Sequence, residues 1–483
     1  MASTLFWHDY ETGGTDPARD RILQFAGQRT DLELNPIGAP VRLFCQPDPG
    51  LLPHPAACLI TGISPQQALR EGVSEPEFAA RVQAELGAPG TCGVGYNSLR
   101  FDDEFTRFLL YRNFYDPYER EWRHGNSRWD IIDMLRLARA LRPQGIQWPD
   151  HPDGSPSFRL EDLAAANGIA QERAHDALDD VLATIALARL VRERQPQLYA
   201  HLFDLRTKQR VQALLDPAAR RPILHVSGRL PRERGYVGLL LPLLRQPGNA
   251  NGVVCFDLMG DAEALLRLDA EAIRARVFSP VAELPEGVER LPLKTIHLNR
   301  CPVVLTPRLL DRETAARLHI DLARCERHWR LLAGAELDAK LAQVFAPQPA
   351  AAVTDADTGL YAGFLAEAER PLLATVRSAT AADALTPERV PFRDPRYREL
   401  LFRYRAHHFP ASLNPLEQEN WRELRRWRLT DPGSRYLGLA AYRAELDRLI
   451  AEGGDPERRA LLAALAEWGD RVAADCGLGA DPG

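Results

Sequence analysis

The stretch Thr4-Leu5-Phe6-Trp7-His8-Asp9-Tyr10-Glu11-Thr12 decides how the chain is read. It is an apolar run that carries two carboxylates two positions apart. On a strand, residues i and i+2 leave the same face, so Asp9 and Glu11 project together near its C-terminal end. Adjacent carboxylates repel and call for a proton, a base or a cation between them. A divalent metal is the usual resolution, since Mg²⁺ is held by one or two carboxylates plus substrate oxygens. Two solvated acids at a strand end would give the same nine letters, so the reading turns on whether further carboxylates arrive at the same place.

Working outward, residues 21–29 and 41–45 read as strands separated by turns rich in Asp, Asn, Pro and Gly. With the first strand they predict an antiparallel meander at one side of a sheet. Ser64-Pro65 opens a helix, Ser64 as its cap and Pro65 in its first turn, and a second helix surrounds Phe78 to Leu86. Residues 92–97 form a short strand that gives way to Arg100-Phe101-Asp102-Asp103-Glu104-Phe105. Asp102 therefore falls at a strand-to-helix junction, where acids also serve as caps. Asp130 and Asp133 take strand-end and capping roles. Ser157 is read as the cap of the next helix. The segment Ala174-His175-Asp176-Ala177-Leu178-Asp179-Asp180 then enters an apolar-periodic helix, with His175 at or just before its start and Asp180 one turn inside.

The whole chain sets the bounds. Its 483 residues predict two to four domains. Hydrophobic content of 45% and charged content of 26% are those of an ordinary globular protein. The formal charge of −6 does not exclude a polyanion partner, because what matters is where positive charge is concentrated. Nearly all the cations are arginine, and lysine occurs only at Lys208, Lys294 and Lys340. The seven cysteines are scattered singly, which reads as free thiols in a reducing compartment. Without a basic-then-apolar leader or an apolar run of about 18 residues, the expected location is the cytoplasm, with no membrane partner.

The motifs D-Y-E at Asp9 to Glu11, N-x-x-R-F-D ending at Asp102, and H-D-A-x-x-D from His175 to Asp180 are specific in combination. Together they resemble the DEDDh group of proofreading-type 3′→5′ exonucleases. The stretches Tyr111 to Tyr118, Asn126 to Asp130, His225 to Gly228, Asn299 to Val303 and Leu401 to Ala406 narrow the likeness to the bacterial exonuclease I family over essentially the whole chain. That resemblance implies an α/β ribonuclease-H-like exonuclease domain (1–195), a β-rich SH3-like domain (196–348) and a C-terminal all-α domain (352–475). It implies Asp9, Glu11, Asp102 and Asp180 as ligands of two Mg²⁺ ions, with Mn²⁺ as a substitute. All-oxygen ligands favour these ions over zinc. His175 is implied as general base, a role its ordinary pKa near neutrality suits, and Glu11 and Arg159 as substrate contacts.

The implied activity is removal of 5′-mononucleotides from the 3′ end of single-stranded DNA, in repair and recombination, by a monomer. A further implied partner is the acidic C-terminal tail of the single-stranded-DNA-binding protein, for which Arg142 matches one basic position. His201 and Ala333 depart from the pattern at that surface. So does the loop Gly228 to Gly235, where the family suggests an aromatic-rich segment.

Beyond the first domain, Gln195 to Lys208 reads as a hinge. Short apolar segments between Arg221 and Pro307 favour strands, interrupted by a helical stretch from Asp261 to Arg276. Residues 311–345 and everything after 352 read as helical. Between Thr386 and Tyr436, eleven arginines face seven acids beside Tyr397, Phe402, Tyr404 and Trp421. Charge interleaved with rings is what a single-strand groove uses, and an Arg-rich solvated surface over core aromatics reads the same way. Two alternatives stay open at this level. One is a DEDDh ribonuclease, against which nearly three hundred extra residues argue. The other is a non-catalytic clamp on a decayed nuclease, against which the complete set of acids argues.

Overall fold

In the computed structural model, which describes residues 3–171, 176–347 and 354–479, the opening stretch is a strand, β1 (Thr4–Thr12). It pairs antiparallel with β2 (Ile22–Thr30), which pairs antiparallel with β3 (Pro36–Phe44). On its other side β1 runs parallel to β4 (Thr91–Gly95), giving the order β3-β2-β1-β4. The expected meander is present, with β3 starting five residues earlier than its apolar letters suggest. Its first half is exposed, so periodicity gave no signal there. Close packing fixes β1 on β2. A Cβ at Gly27 would stand 2.4 Å from the Phe6 ring, so only glycine lets that ring lie across the neighbouring strand.

Helices flank this sheet. Helix Pro65–Glu71 starts as its sequence predicts, Ser64 accepting from the Gln67 N–H. Helix Pro55–Thr61 just before it was not legible in advance, being short and without a side-chain cap. Helix Asp102–Arg112 begins at the acid of the second motif and buries Phe105, Phe108 and Leu109.

The described residues fall into two compact units. The first comprises 1–126, 172–182 and 350–483, the second 127–171 and 183–349. In the first, the C-terminal helices share cores with the sheet layer. Phe108, Tyr111 and Phe114 pack with Leu360, Phe392, Tyr397 and Leu401, and Cys58 and Ile63 pack with Tyr442, Leu465 and Trp468. Buried charge joins the same parts. The Asp357 carboxylate lies 2.8 Å from Arg21, 2.8 Å from Arg428 and 3.1 Å from Arg403. These guanidinium groups hold its pKa far below the usual carboxylate range in spite of burial. Helix Pro415–Thr430 is closed by a capping box between Asn414 and Glu417.

The second unit contains β5 (Ser127–Asp130) and a five-stranded antiparallel sheet in the order β10-β6-β7-β8-β9. Its strands are β6 (Ile223–Val226), β7 (Val237–Arg245), β8 (Gly252–Asp257), β9 (Leu293–His297) and β10 (Val303–Leu305). Helices Ala262–Arg267 and Ala270–Phe278 interrupt it where a helical stretch is predicted. Two expectations are corrected here. The segment read as a hinge holds helix Pro196–Asp204, whose proline occupies the first turn and whose Tyr199 and Leu202 are buried. Ser157 does not cap the next helix, which starts at Leu160 after Arg159; its hydroxyl instead donates to Asp162 at 2.5 Å.

Candidate active site

Asp9 and Glu11 leave the same side of β1, opposite Ala26 and Gln24 of β2, just before a register shift between Glu11 and Thr12. Asp180, in the first turn of helix Ala177–Arg194, joins them. One carboxylate oxygen from each of the three lies within 4.8 Å of the others. Asp102 is brought to the same strand by its backbone, because its Oδ1 accepts the Tyr10 N–H at 3.2 Å. Thr106, one turn on, donates to the Asp102 carbonyl at 2.8 Å and meets the Tyr10 hydroxyl at 2.9 Å. The first motif thus holds the second in place through the peptide between its own two acids.

Electrostatics confirm the crowding. Burial first, then Asp102, Glu11 and Asp180, raise the Asp9 pKa well above the carboxylate range. Burial, then Asp180, Asp102 and Asp176, push Glu11 up to about 9. Each of these two acids is therefore short of positive charge. The neighbouring acids are not. Asp103 is buried against Arg120 at 2.6 Å, and Asp176 is paired with Arg42 at 2.7 Å. His8, on the opposite face of β1, is kept neutral by burial, its pKa lowered to about 4.

Such a donor set fits a hard divalent cation. It is all oxygen, it is anionic, and its members repel one another where Asp103 is instead neutralised by Arg120. Asp9, Glu11 and Asp180 would hold the ion directly, with Asp102 beside them.

His175 lies outside the described residues. Arg159 belongs to the second unit, where it precedes helix Leu160–Ala166 and pairs with Glu161. Sequence reading missed Tyr10, Thr106 and Arg120. Thr106 stands four residues after Asp102 on a helix and was findable as its neighbour on one face. Tyr10 acts through its main chain, and Arg120 arrives from 17 residues away, so neither left a local signal.

Residues 6–188 match a family model described as exonuclease, residues 206–347 the exonuclease I SH3-like domain, and residues 354–472 the exonuclease I C-terminal domain. The exodeoxyribonuclease I of Escherichia coli strain K12 is 43% identical over 473 residues, covering 97% of this chain and 98% of its own. The chain belongs to the exonuclease I family. The exonuclease I of Methylocaldum szegediense superposes with a TM-score of 0.92 at 49% identity, covering 97% and 99% of the two chains. Exonuclease I of E. coli in complex with a dA16 oligonucleotide superposes at 0.91 with 42% identity over 97% and 100%. The E. coli enzyme also appears in a zinc-bound complex with single-stranded DNA, and a further exonuclease I structure is described as SSB/exonuclease I in complex with an inhibitor. The exonuclease I family therefore brings the expected three-part fold: an α/β exonuclease domain, an SH3-like domain and a helical C-terminal domain. None of the helices among the described residues is long and apolar enough to cross a membrane.

Proposed function

We propose that this chain hydrolyses single-stranded DNA from its 3′ end and releases 5′-mononucleotides, using two Mg²⁺ ions for which Mn²⁺ can substitute. The carrying observation is the convergence of Asp9, Glu11 and Asp180 within 4.8 Å, with Asp102 bound to the peptide between the first two. Bound divalent cations supply charge neutralisation at the transferring phosphate and a more acidic water. The chain's own residues do the rest. Asp9, Glu11, Asp102 and Asp180 set where the cations and the 3′-terminal phosphodiester sit, and Glu11 faces the substrate. His175 takes the proton of the attacking water. Arg159 holds a substrate phosphate by charge-assisted hydrogen bonds.

The division of labour follows domains at 1–195, 196–348 and 352–475, acting as a monomer in the cytoplasm in repair and recombination. The acidic C-terminal tail of the single-stranded-DNA-binding protein would dock in the second unit. A cavity of about 300 Å³ there is lined by Leu137, Leu141, Leu202, Leu305 and Leu309, with Arg142 and His201 at its edge. Apolar walls beside one guanidinium suit a peptide ending in an apolar side chain and a carboxylate.

The test is release of mononucleotides from 3′-labelled DNA and RNA oligomers with and without Mg²⁺. Mg²⁺-dependent release from single-stranded DNA is expected. Release from RNA alone, or from neither, refutes the proposal.

A further inference from the structure

Three strands carry one row of residues across the face that bears the acid cluster. Asp9 of β1 lies opposite Ala26 of β2, and Ala26 lies opposite Arg42 of β3. Directly opposed residues of antiparallel strands share a face, so Arg42 leaves the sheet on the side of Asp9, two strand spacings or roughly 10 Å away. Ala26 stands between them with only a methyl group and is fully buried.

The start of helix Ala177–Arg194 reaches both ends of this row. Asp180 joins Asp9 and Glu11 at one end. Asp176 meets Arg42 at the other, the guanidinium Nη2 donating to its Oδ2 at 2.7 Å. The second carboxylate oxygen of Asp176 accepts the Leu178 N–H at 3.2 Å, and its carbonyl accepts the Asp180 N–H at 3.1 Å. One residue therefore caps the helix, closes the turn that bears Asp180 and ties that turn to β3. Asp176 and Asp180 are one turn apart, about 6 Å along the axis, so a tilt or slide of the turn at Asp176 moves the Asp180 carboxylate with it.

Arg42 suits a placing role better than a stabilising one. Its side chain is 40% exposed, lies over the Phe44 ring at 5.7 Å, and has Asp176 as its one carboxylate partner among the described residues. A pair so open to solvent adds little to global stability. Cation ligands are more demanding, because the groups that orient them govern affinity without touching the ion.

We infer that Arg42 is a positioning residue for Asp180. Through Asp176 it sets the first turn of the helix over the sheet, and so the place of the third carboxylate in the cluster. The inference rests on the reading of these acids as cation ligands and extends it to a side chain two strands away.

The experiment uses the full chain and measures Mn²⁺ binding calorimetrically without DNA, beside mononucleotide release from dT20 in Mg²⁺. Arg42→Gln should weaken Mn²⁺ binding and lower kcat, each about tenfold, at an unchanged melting temperature. The KM for dT20 should stay within about twofold, since uniform substrate binding is untouched. Arg42→Lys, which keeps the charge, should restore most of both losses. Asp176→Asn, which can still cap the helix, should match Arg42→Gln, and the double variant should be no worse than either single one. Mn²⁺ affinity and kcat unchanged in Arg42→Gln overturn the proposal. So do losses that add in the double variant, or a raised KM with kcat and Mn²⁺ affinity intact, which would make Arg42 a strand contact. Failure of the underlying reading shows separately, as an unaltered chain that neither binds Mn²⁺ nor releases mononucleotide.

Discussion

Cation binding at the acid cluster should be a contest with protons, and its pH dependence can be worked out. Glu11 keeps its proton to about pH 9 in the cation-free protein. At pH 7 a cation must therefore displace a proton held about two pH units too tightly, which weakens apparent affinity about a hundredfold. At pH 8 the penalty falls to about tenfold, and near pH 9 to about twofold. Apparent Mg²⁺ affinity should thus rise about tenfold from pH 7 to pH 8 and about fivefold more to pH 9, and flatten above it. The slope steepens if the proton on Asp9 is expelled as well. Stability carries the opposite sign without the cation. The folded-state pKa of Glu11 lies above its unfolded value, so the stabilising contribution is full below about pH 4.5 and is lost as pH rises towards 9. Calorimetric titration in two buffers of different ionisation enthalpy measures the proton release, and thermal melts with and without Mg²⁺ measure the stability. Affinity that changes less than twofold between pH 7 and pH 8.5, with no proton released, would refute the account of the cluster as charge-starved. Glu11→Gln should flatten the cation-free stability profile over the same range while weakening cation binding.

Replacing His175 by Ala should slow mononucleotide release by about 10²–10⁴ if it is the general base; a smaller loss with cation binding intact removes it from that role. Asp357→Asn leaves Arg21, Arg403 and Arg428 facing a neutral amide in a buried site, and should cost about 3–5 kcal/mol in denaturant unfolding, with a loss below 1 kcal/mol counting against the charge network. Burial, then His407, lowers the His408 pKa to about 4. His408 therefore contributes stability above its unfolded pKa of about 6.5 that is lost as pH falls to about 4, up to about 3 kcal/mol. His408→Gln should remove that share from the acid limb of the melting curve, and an unchanged limb would refute it.

Where the four clustered acids would fall was legible in the sequence because each position rests on a local rule, while the resemblance is what joined them into one set. Asp9 and Glu11 follow from strand alternation, Asp102 from a junction, and Asp180 from the first turn of a periodic helix. What holds them was less legible. The bond from Tyr10 to Asp102 involves a backbone N–H, which every residue but proline has, and the pairing of Arg120 with Asp103 is a tertiary event. Helix Pro196–Asp204 was read as a hinge because Pro196 was taken as a breaker rather than as a first-turn residue. Strand β7 escaped notice because Val237 to Leu244 is almost wholly buried and shows no alternation. Arg21 gave no hint that it would bond to an acid 336 residues away.

That long-range bond bears on how the enzyme can be dissected. The guanidinium of Arg21 stands just before β2 with Asp48 and Glu75 at 3.8 and 3.9 Å, yet the carboxylate nearest to it, at 2.8 Å, arrives from the C-terminal helical part of the chain. A trimmed version ending after the second domain would lose the nearest of the three carboxylates around Arg21 and expose an aromatic face made of Phe108, Tyr111 and Phe114. The compact unit that carries the acid cluster is consequently discontinuous in sequence, and its tail helices share the cores of the sheet layer rather than hanging upon it.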